Sequence, residues 1–122
     1  MAETFRNVPV WQRAVQMTVL VYRATEQFPK AETFGLTSQL RRASVSVASN
    51  IAEGYGRGST GEYKQFLTIA RGSNYEVQTQ LVISSRLAFG PSDLMLEAEQ
   101  CSFEVGRLLL SAIRSLHKQK KN

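Results

Sequence analysis

Along this chain, apolar residues recur at spacings of three and four, the period of a helix, in four stretches separated by Pro, Gly and Ser. The clearest stretch lies between Gly35 and Gly54, where Leu36, Leu40, Ala43, Val47 and Ile51 follow at steps of four, three, four and four. Within it, Ala43-Ser-Val-Ser-Val-Ala48 alternates as a strand would, but the wider window decides for a helix, roughly Thr37 to Glu53. Gly54 is expected to cap that helix in the left-handed conformation. Its many Ala and Ser residues leave a thin surface that a neighbouring helix can approach closely.

The other three stretches carry their own start and stop signals. Asn7 is placed to cap a first helix, with Pro9 in its opening turn and an apolar stripe of Trp11, Ala14, Val15, Thr18, Tyr22 and Thr25. That pattern ends at Phe28, before Pro29. Ser59-Thr-Gly-Glu62 is a capping box that opens a third helix with the stripe Tyr63, Phe66, Leu67, Ala70, Asn74, Val77, Leu81, Ser84 and Ala88. Gly90-Pro91 breaks it. Ser92 then caps a fourth helix, with the stripe Leu94, Ala98, Cys101, Val105, Leu108, Ala112 and Leu116. Short connections make sequential helices antiparallel neighbours, so the expected fold is all-α, an up-down-up-down four-helix bundle. It is expected to form a single domain over residues 1–122, with 1–7 and 118–122 as loose ends.

The faces turned away from these stripes are not uniformly polar. At about 100° per residue, Phe103 and Leu110 point opposite the stripe of the fourth helix, with Gly106 nearby. The third helix turns Gly72, Tyr75, Thr79 and Val82 outward, and the second turns Val45, Ser49 and Ala52. An apolar patch shared across helices marks an interface. A homo-oligomer is therefore expected, with Val45, Ser49, Tyr75, Phe103 and Leu110 as candidate contacts.

Composition adds constraints. The chain has 122 residues, 43% hydrophobic and 20% charged, the balance of one soluble globular domain. No apolar run reaches the ~20 residues of a membrane span, and Met-Ala-Glu-Thr-Phe-Arg lacks a signal-peptide core. The single Cys101 cannot form an internal disulfide. A cytoplasmic protein without membrane association is the expectation. The net charge of +5 favours anionic partners. Arg41, Arg42, Arg57, Lys64 and Arg71 cluster around the second helix and the start of the third, and Lys118, Lys120 and Lys121 form a basic tail. All eight are candidate nucleic-acid contacts. Antiparallel packing sends Arg57 and Lys64 to one end of the bundle and Arg41 and Arg42 towards the other. No base-reading module is visible, so binding through the phosphate backbone is expected.

Catalytic and metal chemistry find little support. His117 is the only histidine and Cys101 the only cysteine, too few for zinc or a di-iron bundle site. Cys101 lies on an apolar stripe, as a buried inert thiol does. Gly54-Tyr-Gly-Arg-Gly58 is better read as a turn needing positive φ than as a phosphate cradle, since it lacks the ending of a P-loop and no strand precedes it. Glu53 and Glu76 are a candidate carboxylate pair, outweighed by salt bridges to Arg41, Arg42 or Arg71. No catalytic residue, cofactor or metal ligand is assigned, and the chain is expected not to be an enzyme.

The run Phe34-Gly-Leu-Thr-Ser-Gln-Leu-Arg-Arg-Ala-Ser-Val-Ser-Val-Ala-Ser-Asn-Ile-Ala-Glu-Gly-Tyr-Gly-Arg-Gly-Ser59 resembles the signature of the bacterial four-helix-bundle family named for the 23S rRNA intervening sequence protein. Val10-Trp-Gln, Phe28-Pro29 and Glu62-Tyr-Lys-Gln-Phe-Leu-Thr-Ile-Ala-Arg-Gly-Ser73 agree with it, and the likeness extends from about Val10 to Leu87. It departs at Glu76-Val-Gln78, where the family often has Glu at both ends. The resemblance implies a cytosolic homo-oligomer, characteristically a pentameric ring, and supplies no catalytic residue. The chain is also similar to the accessory variability proteins of diversity-generating retroelements, basic pentamers that bind nucleic acid and a reverse transcriptase. Two functions follow as expectations: a homo-oligomer binding RNA or DNA through basic side chains, or a protein–protein scaffold whose partner is another protein such as a reverse transcriptase.

Overall fold

A computed structural model describes the backbone of residues 4–121 and the side chains of residues 4–117. Among the described residues there are four α-helices and no strand: α1 (Pro9–Thr25), α2 (Leu36–Tyr55), α3 (Thr60–Arg86) and α4 (Ser92–Lys121). Short 3-10 turns at Phe5–Asn7 and Lys30–Glu32 precede α1 and α2. Among the described residues, backbones approach closely in the cyclic order α1, α2, α3, α4, and diagonal helices face one another only across the core. The fold is the expected four-helix bundle.

The pairings across each seam run in opposite senses. Along α2, Gly54 lies against Phe66, Ser46 Oγ is 2.9 Å from Ser73 Oγ, and Gln39 accepts from the Gln80 amide at 3.3 Å. On the α1/α4 seam, Arg13 pairs with Glu104 at 3.0 Å, while Gly90, just before α4, sits by Ala24 and Phe28. Between α1 and α2, the Thr18 hydroxyl donates to Ser44 O (3.1 Å) and the Arg41 guanidinium to Thr25 Oγ1 (2.8 Å).

The core is a column of aliphatic side chains from all four helices, with Met17, Leu40, Ile51, Leu67, Leu81 and Leu109 the largest of those fully buried. One polar pair is buried with them. Ser102 Oγ donates to Asn74 Oδ1 (2.9 Å) and the Asn74 amide donates to Ser102 O (2.9 Å), so the burial leaves neither side chain unpaired.

Several sequence expectations are corrected. In α1 the inward line is Val10, Ala14, Met17, Val21, Ala24 and Thr25; of the expected stripe Ala14 and Thr25 are buried, while Tyr22 is exposed and Trp11, Val15 and Thr18 are only half-buried. The stripe was misplaced by one residue, about 100°, because this helix is apolar around more than half its girth and must face both α2 and α4. Asn7 does not cap α1. Val8 holds that position without a side-chain bond, and Asn7 ends the 3-10 turn that Thr4 caps, with the Phe5 ring edge-on to Trp11 at 5.1 Å. α1 stops at Thr25 rather than Phe28, and Ser92 is the first residue of α4 rather than its cap.

The glycines also differ from expectation. Gly54 is a buried member of α2, not its left-handed cap; a Cβ there would lie 2.5 Å from Phe66 Cβ. The helix runs on to Tyr55, and Gly56 ends it with φ −80°. The left-handed residue of that loop is Gly58, at φ 86°. At the far end of α3 the same conformation falls on Ala88, φ 60°, where Phe89 N bonds Ser84 O (2.9 Å) and Ala88 N bonds Ser85 O (3.0 Å), a Schellman closure built without glycine. The Ser59 capping box forms as expected: Glu62 N donates to Ser59 Oγ at 3.2 Å, and that hydroxyl to Glu62 Oε1 at 3.1 Å.

Two substitutions test this reading of backbone space. Gly54→Ala should destabilise by about 1–3 kcal/mol through overpacking against Phe66, despite alanine's higher helix propensity. Ala88→Gly should stabilise by about 0.5–1 kcal/mol, the relief of the left-handed strain less the entropy glycine adds to the unfolded chain. Urea midpoints read both, and opposite signs are expected.

Candidate nucleic-acid interface

The candidate cations fall in separate places and differ in how far they are engaged. Arg41 bonds Thr25 Oγ1 (2.8 Å) and stacks over the Tyr22 ring at 4.5 Å, tying α2 to α1. Arg57 pairs with Glu53 at 3.0 Å and covers the Phe66 ring at 5.0 Å. Lys64 Nζ lies 3.1 Å from His117 Nδ1; an ammonium only donates, so that ring nitrogen accepts. Arg71 leans over Tyr75 at 5.4 Å. Arg42 is exposed and makes no hydrogen bond or ion pair among the described residues. The side chains of Lys118, Lys120 and Lys121 lie outside the described residues.

The outer face of α3 and α4 brings together residues expected in two different roles. Tyr75 (52% exposed) and Phe103 (66%) stand there with Leu110, all candidate oligomer contacts. They share a groove of about 230 Å³ with Arg71, a candidate nucleic-acid contact, and with Arg107. Asn74 and Gly106 form part of its lining, because glycine lets the Asn74 amide come within 3.3 Å of where a Cβ would sit. The face is divided along its length. Towards the end of α3 a groove of about 370 Å³ is apolar, with Val82, Ile83 and Phe103 beside Thr79 and Glu99. Towards the end of α4, Arg107 and Arg114 flank Leu110, Ser111 and Ser115 in a groove of about 530 Å³. Val45 and Ser49 are exposed on α2, which lies diagonally across the bundle from α4, so the expected contacts occupy two faces rather than one.

A second, polar groove lies on the outside of the α2/α3 seam. Ser46 and Ser73 close one end of it and Gln39 and Gln80 the other, at the distances given above. Ala43 lines it between them, with Arg42 contributed by α2 and Glu76 by α3, in about 330 Å³. Glu76 is therefore not paired with Glu53, which sits at the far end of α2 bound to Arg57. Neither forms the salt bridge with Arg41, Arg42 or Arg71 that the sequence favoured.

The glycine loop offers little to an anion. Gly56 N bonds Ala52 O and Glu53 O (both 3.2 Å) and Arg57 N bonds Gly54 O (3.2 Å), so these amides are already satisfied by α2. Cys101 is 1% exposed, its thiol pushed above the usual range mainly by burial, with Glu104 adding and Arg13 opposing. The Tyr63 phenol is raised likewise by burial and then by Tyr55.

Sequence reasoning missed three residues. Arg107 and Arg114 were not among the candidate contacts, though their seven-residue spacing puts them on one side of a helix. Phe34 is 95% exposed on the turn before α2; an aromatic next to a turn glycine was the available signal.

Comparison with known proteins identifies the class. The family model of the 23S rRNA-intervening sequence protein matches residues 6–111, most of the chain, and the protein belongs to that family. A crystal structure of a protein with unknown function from the S23 ribosomal protein family, from Bacteroides thetaiotaomicron, superposes with a TM-score of 0.75 over 85% of this chain and 97% of that one. Its identity is 21%, so the likeness is one of fold. No curated protein matches the chain. Among the described residues no helix is long and apolar enough to cross a membrane.

The buried thiol gives a direct check on the packing of α4. Cys101 in the folded protein should react with a neutral disulfide reagent at least a hundredfold more slowly than after denaturation, on the order set by the rarity of opening. Absorbance of the released thiolate measures both rates.

Proposed function

We propose that this protein is a non-enzymatic homo-oligomer that binds structured or single-stranded RNA through the outer face of α3 and α4. The observation that supports this reading is the lengthwise division of that face. Its apolar half, around Phe103, Val82 and Ile83, suits burial against a second copy. Its basic half sets Arg107 in one groove with Tyr75, with Arg71 over that ring, and continues along α4 to Arg114. Cations alongside exposed rings are what a single strand needs: charge for phosphates and a flat surface for bases. By resemblance the oligomer is a pentamer, whose symmetry would repeat this basic strip around a ring. The family's name points to RNA as the nucleic acid.

The scaffold reading, in which the partner is a protein, draws on Phe34. An aromatic side chain so fully exposed at the end of the bundle, away from the α3/α4 face, is the kind of anchor a protein partner covers.

Labelled RNA should shift with the protein at low ionic strength and release as salt rises, with a slope set by the phosphates neutralised. The Arg107→Glu and Arg114→Glu double variant should weaken binding on the order of tenfold or more while leaving the oligomer intact by light scattering. Phe103→Glu should do the reverse, lowering the mass of the particle. Absence of RNA binding in low salt would defeat the nucleic-acid reading, and the scaffold would stand in its place.

A further inference from the structure

We propose that the polar notch between α2 and α3 is a base-reading site that takes an unpaired guanine. The inference rests on the nucleic-acid reading above but uses a different face, and it adds sequence preference to what the α3/α4 strip supplies only as charge.

The notch follows from the register of the seam. Ser46 with Ser73 and Gln39 with Gln80 are two hydrogen-bonded bridges about two helical turns apart, and the antiparallel register sets Arg42 opposite Glu76 between them. Ala43 is the only side chain lining the notch there on the core side, and its small size leaves the space open. Arg42 and Glu76 border one groove yet form no ion pair with each other, and neither has another partner among the described residues. A guanidinium and a carboxylate that line one groove without closing on one another leave both hydrogen-bonding edges for a third group. The Gln80 carbonyl oxygen adds a buried acceptor with no hydrogen-bond donor among the described residues.

The occupant must be planar and must offer acceptors on one edge and donors on the next. Guanine does so. Its O6 and N7 accept the two-pronged donation of an arginine, and its N1–H and 2-amino group are donors suited to a carboxylate. Adenine lacks that division, because its N6 donor lies between the acceptors N1 and N7. A notch of about 330 Å³ is at the small end of ligand sites, a size for one base rather than a helix or strand.

The test uses the full chain and uridine octamers carrying one central guanosine, adenosine or inosine, with affinity measured by fluorescence anisotropy at low salt. The guanosine octamer should bind about tenfold more tightly than the adenosine one, the discrimination one good bidentate contact provides. Inosine, without the 2-amino group, should fall between them. Glu76→Gln and Arg42→Lys should each bring the ratio of guanosine to adenosine affinity, measured within the same variant, to about one, since glutamine loses the carboxylate and lysine keeps the charge but not the fork. Circular dichroism and light scattering confirm that both variants keep their fold and mass. Equal affinity for guanosine and adenosine octamers in the parent would overturn the notch and leave the charged strip standing. If none of the octamers binds, both readings fall. A change of oligomeric state in Glu76→Gln or Arg42→Lys would make the notch a contact between copies and overturn it as well.

Discussion

The close approach of α2 to α3 is the constraint on which the rest of the molecule depends. It is possible because α2 presents almost no side-chain bulk to its neighbour: Gly54 against the Phe66 backbone end, Ser46 against Ser73, Ala43 between the bridges. Backbones this near cannot be separated by ordinary aliphatic packing, so the outer part of the seam is held by hydroxyls and amides instead. The inner part joins the aliphatic column through Leu40, Val47, Ile51, Leu67 and Val77. One seam thus does two jobs. It anchors the core on one side and exposes a polar furrow on the other.

That arrangement also accounts for which charges remain available. Arg41 and Arg57 bond to groups next to them in the fold, and each covers an aromatic ring. Such guanidiniums contribute their stems and planes to packing as much as their charge. Arg42, one position on from Arg41, turns to the other side of α2 and meets Glu76 across the furrow without bonding it. Two adjacent arginines in sequence therefore have different physical roles, decided by a rotation of about 100°.

The α3/α4 face is organised by a different device. Gly106 keeps α4 thin beside Asn74, and the buried Asn74–Ser102 pair fixes how the two helices meet. With that register set, Tyr75 and Phe103 lie in one groove with Arg71 and Arg107. Aromatic and cationic side chains separated by more than thirty residues in sequence become neighbours. The apolar and basic halves of this face are then continuous along α4, which is why one face can be argued to hold both a second copy and a nucleic acid.

Local patterning determined much of this protein in advance. Helix number, the capping box at Ser59, the inward line of α2 and the central phase of α4 at Ala98, Cys101 and Val105 were legible because each depends on residues within a turn or two. Three things were not. The phase of α1 was open because its apolar residues exceed what one face can hold, and only packing against both α2 and α4 selects Met17 and Val21 over Tyr22. The role of Gly54 was open because a glycine that permits a turn and one that permits contact look alike in sequence; the nearness of Phe66 decides it. That Arg42 and Glu76 face one groove, and Arg71 and Phe103 another, was open because it depends on the register between helices. Register is set by the sum of many side-chain contacts across a seam, and no single stretch of chain contains it.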